Sequence, residues 1–196
     1  MERLPSPVNI AVLLVAATGV RISECLGLRW RHVLWDENKI FIEQVFRRGE
    51  IVNRTKTKAS KAPVPMCEAL ATTLNEWHQQ TEHSRDEDFV FASPTLNGKQ
   101  PLWGQTVNAQ FVKPAAIKLG LVAEDERFGW HHLRHSLSTW ANETTKDITI
   151  SQTMLRHAKP DTTAIYTHGN FGKALEAQRL YMDRLLKMKP ATESTQ

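Results

Sequence analysis

The sequence predicts an α+β domain that is mostly α-helical and carries a small antiparallel sheet of three strands. Apolar residues at helical spacing dominate on both sides of residues 30–65, whereas that segment has short, alternating, β-branched runs separated by turns. The length of 196 residues fits one domain. We place this domain at residues 1–189 and expect the polar tail at 190–196 to be disordered.

Two helices open the chain. Val8–Val20 is apolar but shorter than the roughly 20 residues needed to span a bilayer, so we predict a buried core helix and no membrane contact. Ser6 and Pro7 fit an N-cap and a first helical position. Gly19 interrupts the run, and Arg21–Leu28 predicts a second, short helix.

Three short strands are predicted to follow, joined by tight turns. The strands are Lys39–Val45, Glu50–Arg54 and Ala62–Met66, with turns at Asp36–Asn38 and Arg48–Gly49.

Most of the remaining chain is predicted to be helical. Glu68–Gln80 is amphipathic, because Leu70, Leu74 and Trp77 recur at helical spacing. Asp88–Ala92 predicts a brief strand. The other predicted helices are Gln105–Gly120, Trp130–Thr144, Thr149–His157, Asp161–His168 and Phe171–Met188.

Composition narrows the class of protein. Hydrophobic residues make up 41% and charged residues 23%, which excludes a disordered or collagen-like chain. Two cysteines, Cys25 and Cys67, are too few for a disulfide scaffold, so we expect reduced thiols in a cytoplasmic protein. The net charge of +4 weakly favours a polyanionic partner.

The positive charge is concentrated in one stretch. Residues 29–61 hold nine lysine and arginine residues against four acidic ones, a net charge of +5. Such a stretch is often only a solvated surface, and the alternative is a face that follows a phosphate backbone.

Four segments could carry chemistry, namely Thr18–Glu24, Thr55–Lys61, His131–His135 and Leu155–His168. Each has an ordinary explanation when considered alone. Arg21 could be a surface arginine, and Tyr166 could be a packing residue. His131 and His135 have the i, i+4 spacing of a zinc site, but no Glu or Cys completes a ligand set, so we predict no metal and no cofactor.

Together and in this order, the four segments resemble the tyrosine recombinases of the phage integrase family. The similarity runs from Pro7 to about Met188 and rests on TGVRISE, the Lys56–Thr57 turn between strands, HHLRH and LRHAKPDTTAIYTH. It implies the tyrosine-recombinase catalytic fold. It also implies six catalytic residues, which are Arg21, Lys56, His131, Arg134, His157 and Tyr166.

The resemblance assigns a role to each of these side chains. Tyr166 would attack the scissile phosphate of double-stranded DNA and form a 3′-phosphotyrosyl bond. Arg21, Arg134 and His157 would stabilise the negative charge of the transition state. Lys56 would protonate the leaving 5′ oxygen, with Lys58 and Lys61 as alternatives, and His131 would take the base position. Neither metal nor ATP is implied.

Two positions depart from the usual family pattern. The residue after the first histidine of the H-x-x-R motif is often acidic in the family, and here it is His132. Arg156 replaces the glycine that is common before the second histidine. Neither change removes a proposed catalytic side chain.

The resemblance also implies how the protein assembles. Family members act as tetramers on paired DNA sites, and we expect a monomer or weak dimer without DNA. The helix after Tyr166 would either dock on a neighbouring chain or pack on its own domain. Many relatives carry an N-terminal core-binding domain, and TGVRISE begins at Thr18, so we expect a catalytic domain alone.

Two other functions share parts of this pattern. A type IB topoisomerase relaxes DNA with the same tyrosine chemistry and without strand exchange. A DNA-binding remnant would occupy sites without cleaving them. Intact Arg21, Arg134 and Tyr166 argue against the remnant.

Overall fold

A computed structural model describes residues 4–53, 63–155 and 168–187. The helices within these ranges are α1 Val8–Thr18, α2 Ile22–Leu26, α3 Glu68–Gln80, α4 Gly104–Val107, α5 Lys113–Lys118, α6 Trp130–Thr145, α7 Ile148–Leu155 and α8 His168–Lys187. The strands are β1 Val33–Leu34, β2 Lys39–Ile40, β3 Gln44–Arg47, β4 Glu50–Asn53 and β5 Val64–Pro65. Short 3₁₀ turns occupy Trp30–His32 and Pro94–Leu96, and a π-helical turn, Asn108–Val112, joins α4 to α5.

The strands form two small antiparallel sheets. One has the order β1-β2-β5, in which Ile40 pairs with both Val33 and Val64, and the other is the β3–β4 hairpin. The predicted mostly helical α+β class is confirmed, but the strands are divided differently from the single sheet predicted. The β1–β2 ladder ends at its next pair, because the Phe41 N–H donates to the His32 carbonyl at 2.9 Å but the His32 N–H donates to the Arg29 carbonyl.

The α1 helix forms the centre of the main hydrophobic core, as predicted. Leu13, Leu14 and Val15 are almost completely buried. The expected cap is wrong, because Pro7 occupies the N-cap position of α1 and no side chain caps the helix there. None of the helices in the described ranges is long and apolar enough to cross a membrane.

The α8 helix packs on its own domain, the second of the two expected arrangements. Its buried face contacts α1, α3, α6, α7 and β5. That face consists of Ala174, Ala177, Gln178, Tyr181 and Met182. Leu180, in the same helix, is 43% exposed.

Other predicted elements agree in part. The predicted helix Glu68–Gln80 has the observed limits of α3. Asp88–Ala92 is not a strand, although Phe89 and Ala92 make isolated bridges to Arg29 and Pro101. The predicted helix Asp161–His168 and the tail at 190–196 lie outside the described residues, apart from His168. Both cysteines are buried and free of disulfide bonds.

Candidate active site

The turn between α1 and α2 requires glycine. Gly19 ends α1 with φ +64°, in the left-handed region that favours glycine. A methyl group on its Cα would lie 2.6 Å from Leu155 Cδ2 and 3.1 Å from Leu137 Cδ2. The absence of a side chain therefore lets the end of α1 approach both α6 and α7.

Arg21 stands at the start of α2 and is held by Glu24. The backbone N–H of Arg21 donates to Glu24 Oε2 at 2.8 Å, and the side-chain Nη1 of Arg21 lies 3.3 Å from Glu24 Oε1. The Arg21 side chain is 49% exposed, whereas that of Glu24 is 1% exposed. Glu24 therefore positions Arg21, and its buried carboxylate does not face solvent as a proton carrier would.

Arg134 reaches the same turn from α6. Its side chain is buried, and Arg134 Cγ would lie 3.8 Å from a methyl group on Gly19. Arg134 Nη2 donates to the backbone carbonyl of Leu155, which ends α7. Arg134 therefore packs on the turn that leads to Arg21. It is also hydrogen-bonded to Leu155, the last described residue before 156–167.

The first turn of α6 carries His131 on the protein surface. His131 is exposed, and its ring stacks on His135 at a centroid distance of 6.5 Å. It lies three residues before Arg134, so the two side chains share one helix face. Of the six predicted catalytic residues, Arg21, His131 and Arg134 lie within the described ranges.

His132 caps α6, which explains one departure from the family pattern. Its Nδ1 accepts the backbone N–H of Gly129 at 3.2 Å, and its ring stacks on Phe128. An acidic residue at this third helical position would accept the same N–H through a carboxylate oxygen. This capping contact was not predicted from the sequence, although the offset between Gly129 and His132 is that of a capping box.

Lys56, His157 and Tyr166 lie outside the described residues, as do Lys58, Lys61 and Arg156. The strands that flank the lysines in the chain are β4 and β5, which belong to different sheets. The predicted turn between two neighbouring strands is therefore a connection between two sheets.

The side chains around Arg21 limit the chemistry available there. Burial, assisted by the Glu24 carboxylate, raises the pKa of the Cys25 thiol well above its ordinary value, so Cys25 stays neutral and unreactive. Within the described ranges, no three His, Cys, Asp or Glu side chains are grouped as metal ligands, and His131 with His135 has no third partner there. Two guanidinium groups near one turn are instead suited to an oxyanion such as phosphate.

Comparisons with known proteins show which family the chain belongs to. Residues 2–173 match the phage integrase family. The tyrosine recombinase XerC of Corynebacterium efficiens is 27% identical over 167 residues, which cover 85% of this chain and 47% of the relative. XerA of Pyrococcus furiosus is 28% identical over 160 residues, covering 81% and 49% of the two proteins. The chain thus spans about half the length of these relatives.

Solved structures share the fold. The Tn1549 transposon integrase, in complex with circular intermediate DNA, superimposes with a TM-score of 0.62 at 19% identity, covering 90% of this chain and 59% of the integrase. The integrase of mycobacterium phage Brujita gives a TM-score of 0.61 at 20% identity, covering 96% and 54%. With the family match over most of its length, the chain belongs to the phage integrase family and is a tyrosine recombinase catalytic domain.

Proposed function

We propose that this domain cleaves and rejoins DNA at specific sites through a covalent 3′-phosphotyrosyl intermediate. The observation that carries the proposal is that the Arg134 side chain packs beside Gly19, in the turn that leads to Arg21. Two permanently charged, planar guanidinium groups can donate bidentate hydrogen bonds to the non-bridging oxygens of one phosphodiester. Preorganised donors of this kind give the largest single contribution to phosphoryl transfer.

In the proposed reaction, the Tyr166 oxygen attacks phosphorus and the bond from phosphorus to the 5′ oxygen breaks. A tyrosine phenol has an ordinary pKa of about 10, so His131 takes its proton as the new bond forms. Lys56 donates a proton to the departing 5′ oxygen, and His157 adds a donor to the phosphate oxygens. Attack by a 5′ hydroxyl on the phosphotyrosine reverses the step, so no ATP is consumed.

The fixed position of Arg134 supports these roles. Its guanidinium holds the carbonyl of Leu155, two residues before His157. A mobile arginine would have to be ordered in the transition state, whereas this one is fixed in advance by a buried contact.

The proposed substrate is double-stranded DNA, and the proposed active assembly is four chains on two paired sites. The structural relative from Tn1549 was solved with DNA. Its likeness shows the fold alone, so the tetramer and the monomer or weak dimer without DNA rest on the family resemblance.

Covalent trapping tests the proposal directly. A pool of duplexes with a randomised core and a nick lets a short 5′-hydroxyl fragment diffuse away after cleavage, which prevents religation. We expect adducts between protein and DNA that survive denaturant, and sequencing them gives the preferred site. Tyr166→Phe should form none while still binding DNA, and Arg134→Ala should cleave about 10²–10³-fold more slowly.

Two outcomes separate the proposal from its alternatives. Binding without any adduct on the whole pool would identify a DNA-binding remnant. Adducts accompanied by plasmid relaxation, but without exchange between two copies of the selected site, would identify a topoisomerase-like activity.

A substrate with a 5′-phosphorothiolate tests which lysine is the general acid. Its leaving group needs no proton, so it should rescue cleavage by Lys56→Ala. Rescue of Lys58→Ala or Lys61→Ala instead would assign the general acid to that lysine.

A further inference from the structure

A cavity of about 670 Å³ lies beside Arg21. Its walls come from the start of α2, the turn of the β3–β4 hairpin, residues 103–108, and the start of α6 at Gly129 and Trp130. Ile22 and Ser23, which directly follow Arg21, line it. The volume lies within the range of about 300–1,000 Å³ that is typical of small-molecule pockets and exceeds the needs of a single phosphate group.

Buried contacts fix the walls of this cavity. A methyl group on Gly104 would lie 2.9 Å from Ile22 Cγ1, so α4 is packed directly on α2. Trp130 Nε1 donates to the Gly104 carbonyl at 2.8 Å, and Asn108 Nδ2 donates to the Phe128 carbonyl at 3.0 Å. The cavity is therefore preformed rather than dependent on a movement of the chain.

An aromatic side chain and two cations stand at its rim. Trp103 packs edge-to-face on Phe46, with centroids 5.5 Å apart, and remains 43% exposed. Arg47 and Arg48 are exposed at the hairpin turn, where Gly49 lies against the Trp103 ring. An exposed tryptophan beside arginines is the combination that binds unpaired nucleotides by stacking on the base and pairing with the phosphate.

The wall also offers a polar group suited to the edge of a base. The exposed side-chain amide of Gln105 lines the cavity. An amide carries both a donor and an acceptor, so it can pair with the donor and acceptor groups on the edge of a nucleobase.

We infer that this cavity binds an unpaired DNA nucleotide, with the base against Trp103 and the phosphate near Arg47 and Arg48. The inference rests on the proposed function, in which Arg21 holds the scissile phosphate. A strand that leaves one duplex for another must unpair its terminal bases, and the cavity can hold one of these bases next to the cleavage point. A site that binds only a phosphate group would not require apolar walls, whereas the faces of a base would pack against them.

Binding of single strands with and without bases tests this inference. The probes are a fluorescein-labelled thymidine homopolymer of about twelve nucleotides, within the span of common single-strand sites, and an abasic strand of the same length. The full chain is used with Tyr166→Phe, so that cleavage does not disturb the equilibrium. We expect tighter binding of the thymidine strand, and Trp103→Ala should weaken it by about 5- to 100-fold without changing affinity for the abasic strand.

Control variants distinguish stacking from loss of structure. Trp103→Phe keeps an aromatic ring and should restore most of the affinity for the thymidine strand. Leu121→Ala removes another exposed apolar side chain, one that is 68% exposed and does not line the cavity, and should change neither affinity. Thermal melting shows whether each variant folds.

Equal affinity for both strands, or an equal loss on both in Trp103→Ala, would overturn the inference. Binding of a peptide or of a second copy of the chain in the cavity, with no binding of either strand there, would also overturn the inference. Covalent trapping is independent of this result. If adducts form while base discrimination fails, the proposed function stands and only the nucleotide site is lost.

Discussion

Gly19 combines a backbone constraint with a steric one, and two other glycines separate these effects. Gly120 also has a positive φ, of +68°, but no atom lies within 4 Å of a methyl group placed there. Gly172 lies in α8 without a positive φ and is equally open. The three glycines therefore allow strain and overlap to be measured separately.

Gly19→Ala should lower the free energy of unfolding by about 2–5 kcal/mol, because strain at positive φ adds to the overlap with Leu155. Gly120→Ala should cost about 1 kcal/mol from strain alone. Gly172→Ala should be neutral or stabilising by up to about 1 kcal/mol, because alanine favours a helix. Urea unfolding measures all three, and equal losses at Gly19 and Gly120 would show that Leu155 simply moves aside.

His32 is a buried histidine whose surroundings favour the neutral ring. It is 2% exposed, and its Nδ1 accepts the Arg29 N–H at 3.1 Å. Its Nε2 lies 3.3 Å from Arg31 Nε and 3.4 Å from Glu43 Oε2. Burial lowers the pKa of His32, and the charges of Arg31 and Arg29 lower it further, against an opposing effect of Glu43.

This lowered pKa predicts a loss of stability in mild acid. As the pH falls through about 6.5, the unfolded chain takes up a proton that folded His32 resists, so the free energy of unfolding decreases. The contribution of this one group cannot exceed about 1.4 kcal/mol per pH unit. His32→Asn keeps an acceptor for the Arg29 N–H and does not titrate, so it should lose less stability between about pH 7.5 and about pH 5.5. An unchanged pH dependence would assign the effect to other histidines.

At the scale of elements, a single glutamine connects α8 to the rest of the domain. Gln178 is fully buried, and its Oε1 accepts the Cys67 N–H at 2.6 Å. Its Nε2 donates to the Pro65 carbonyl at 2.8 Å and to the Ala17 carbonyl at 3.3 Å. These contacts join α8 to β5, to the start of α3 and to the end of α1, two residues before Gly19.

Gln178→Leu should lower the free energy of unfolding by about 2–5 kcal/mol, because the Cys67 N–H and the Pro65 carbonyl lose their partner in a buried place. The neighbouring Arg179→Ala breaks only an exposed pair with Glu176, so it should leave the free energy of unfolding nearly unchanged. Removal of residues 171–187 should unfold the domain. A truncated chain with an unchanged melting temperature would show that α8 is dispensable in cis.

The α8 helix shows how far sequence patterns reach at this scale. Helical spacing predicted the helix itself, and it gave the limits of α3 as well. It did not predict the burial of Gln178, because a glutamine satisfied by backbone groups cannot be distinguished by its spacing from a surface glutamine. The division of the strands was missed because the alternating pattern continues past Phe41, whereas the β1–β2 ladder ends there.

At the scale of the whole molecule, the sequence predicts the candidate site only through several motifs that occur in a particular order. Arg21 lies at the start of α2, whereas His131 and Arg134 lie on α6, and no local pattern brings these two elements together. The structure supplies the physical connection for the two arginines through Gly19 and the Leu155 carbonyl. The cavity beside them was not predicted, because Trp103 and Asn108 become a site only when α4, α2 and the β3–β4 hairpin meet.

The distribution of charge gives a last prediction for the whole molecule. Arg47 and Arg48 line the cavity together with Ile22 and Ser23, on the side of the domain that carries Arg21. They belong to the stretch of residues 29–61 with a net charge of +5. If this face binds DNA, each phosphate that it neutralises releases counterions and contributes about −0.9 to the slope of log affinity against log salt.

The double variant Arg47→Gln, Arg48→Gln should therefore bind random duplex DNA more weakly, with a salt slope shallower by about 1 to 2. Random duplex is suitable because these contacts do not depend on base sequence. Arg179→Gln removes a charge from α8, where Glu176 already pairs with it, and should leave the slope unchanged. Equal slopes for the wild type and the double variant in a salt titration would place the DNA on another face. The two arginines would then have to act on the unpaired nucleotide alone, because only contacts with duplex phosphates contribute to this slope.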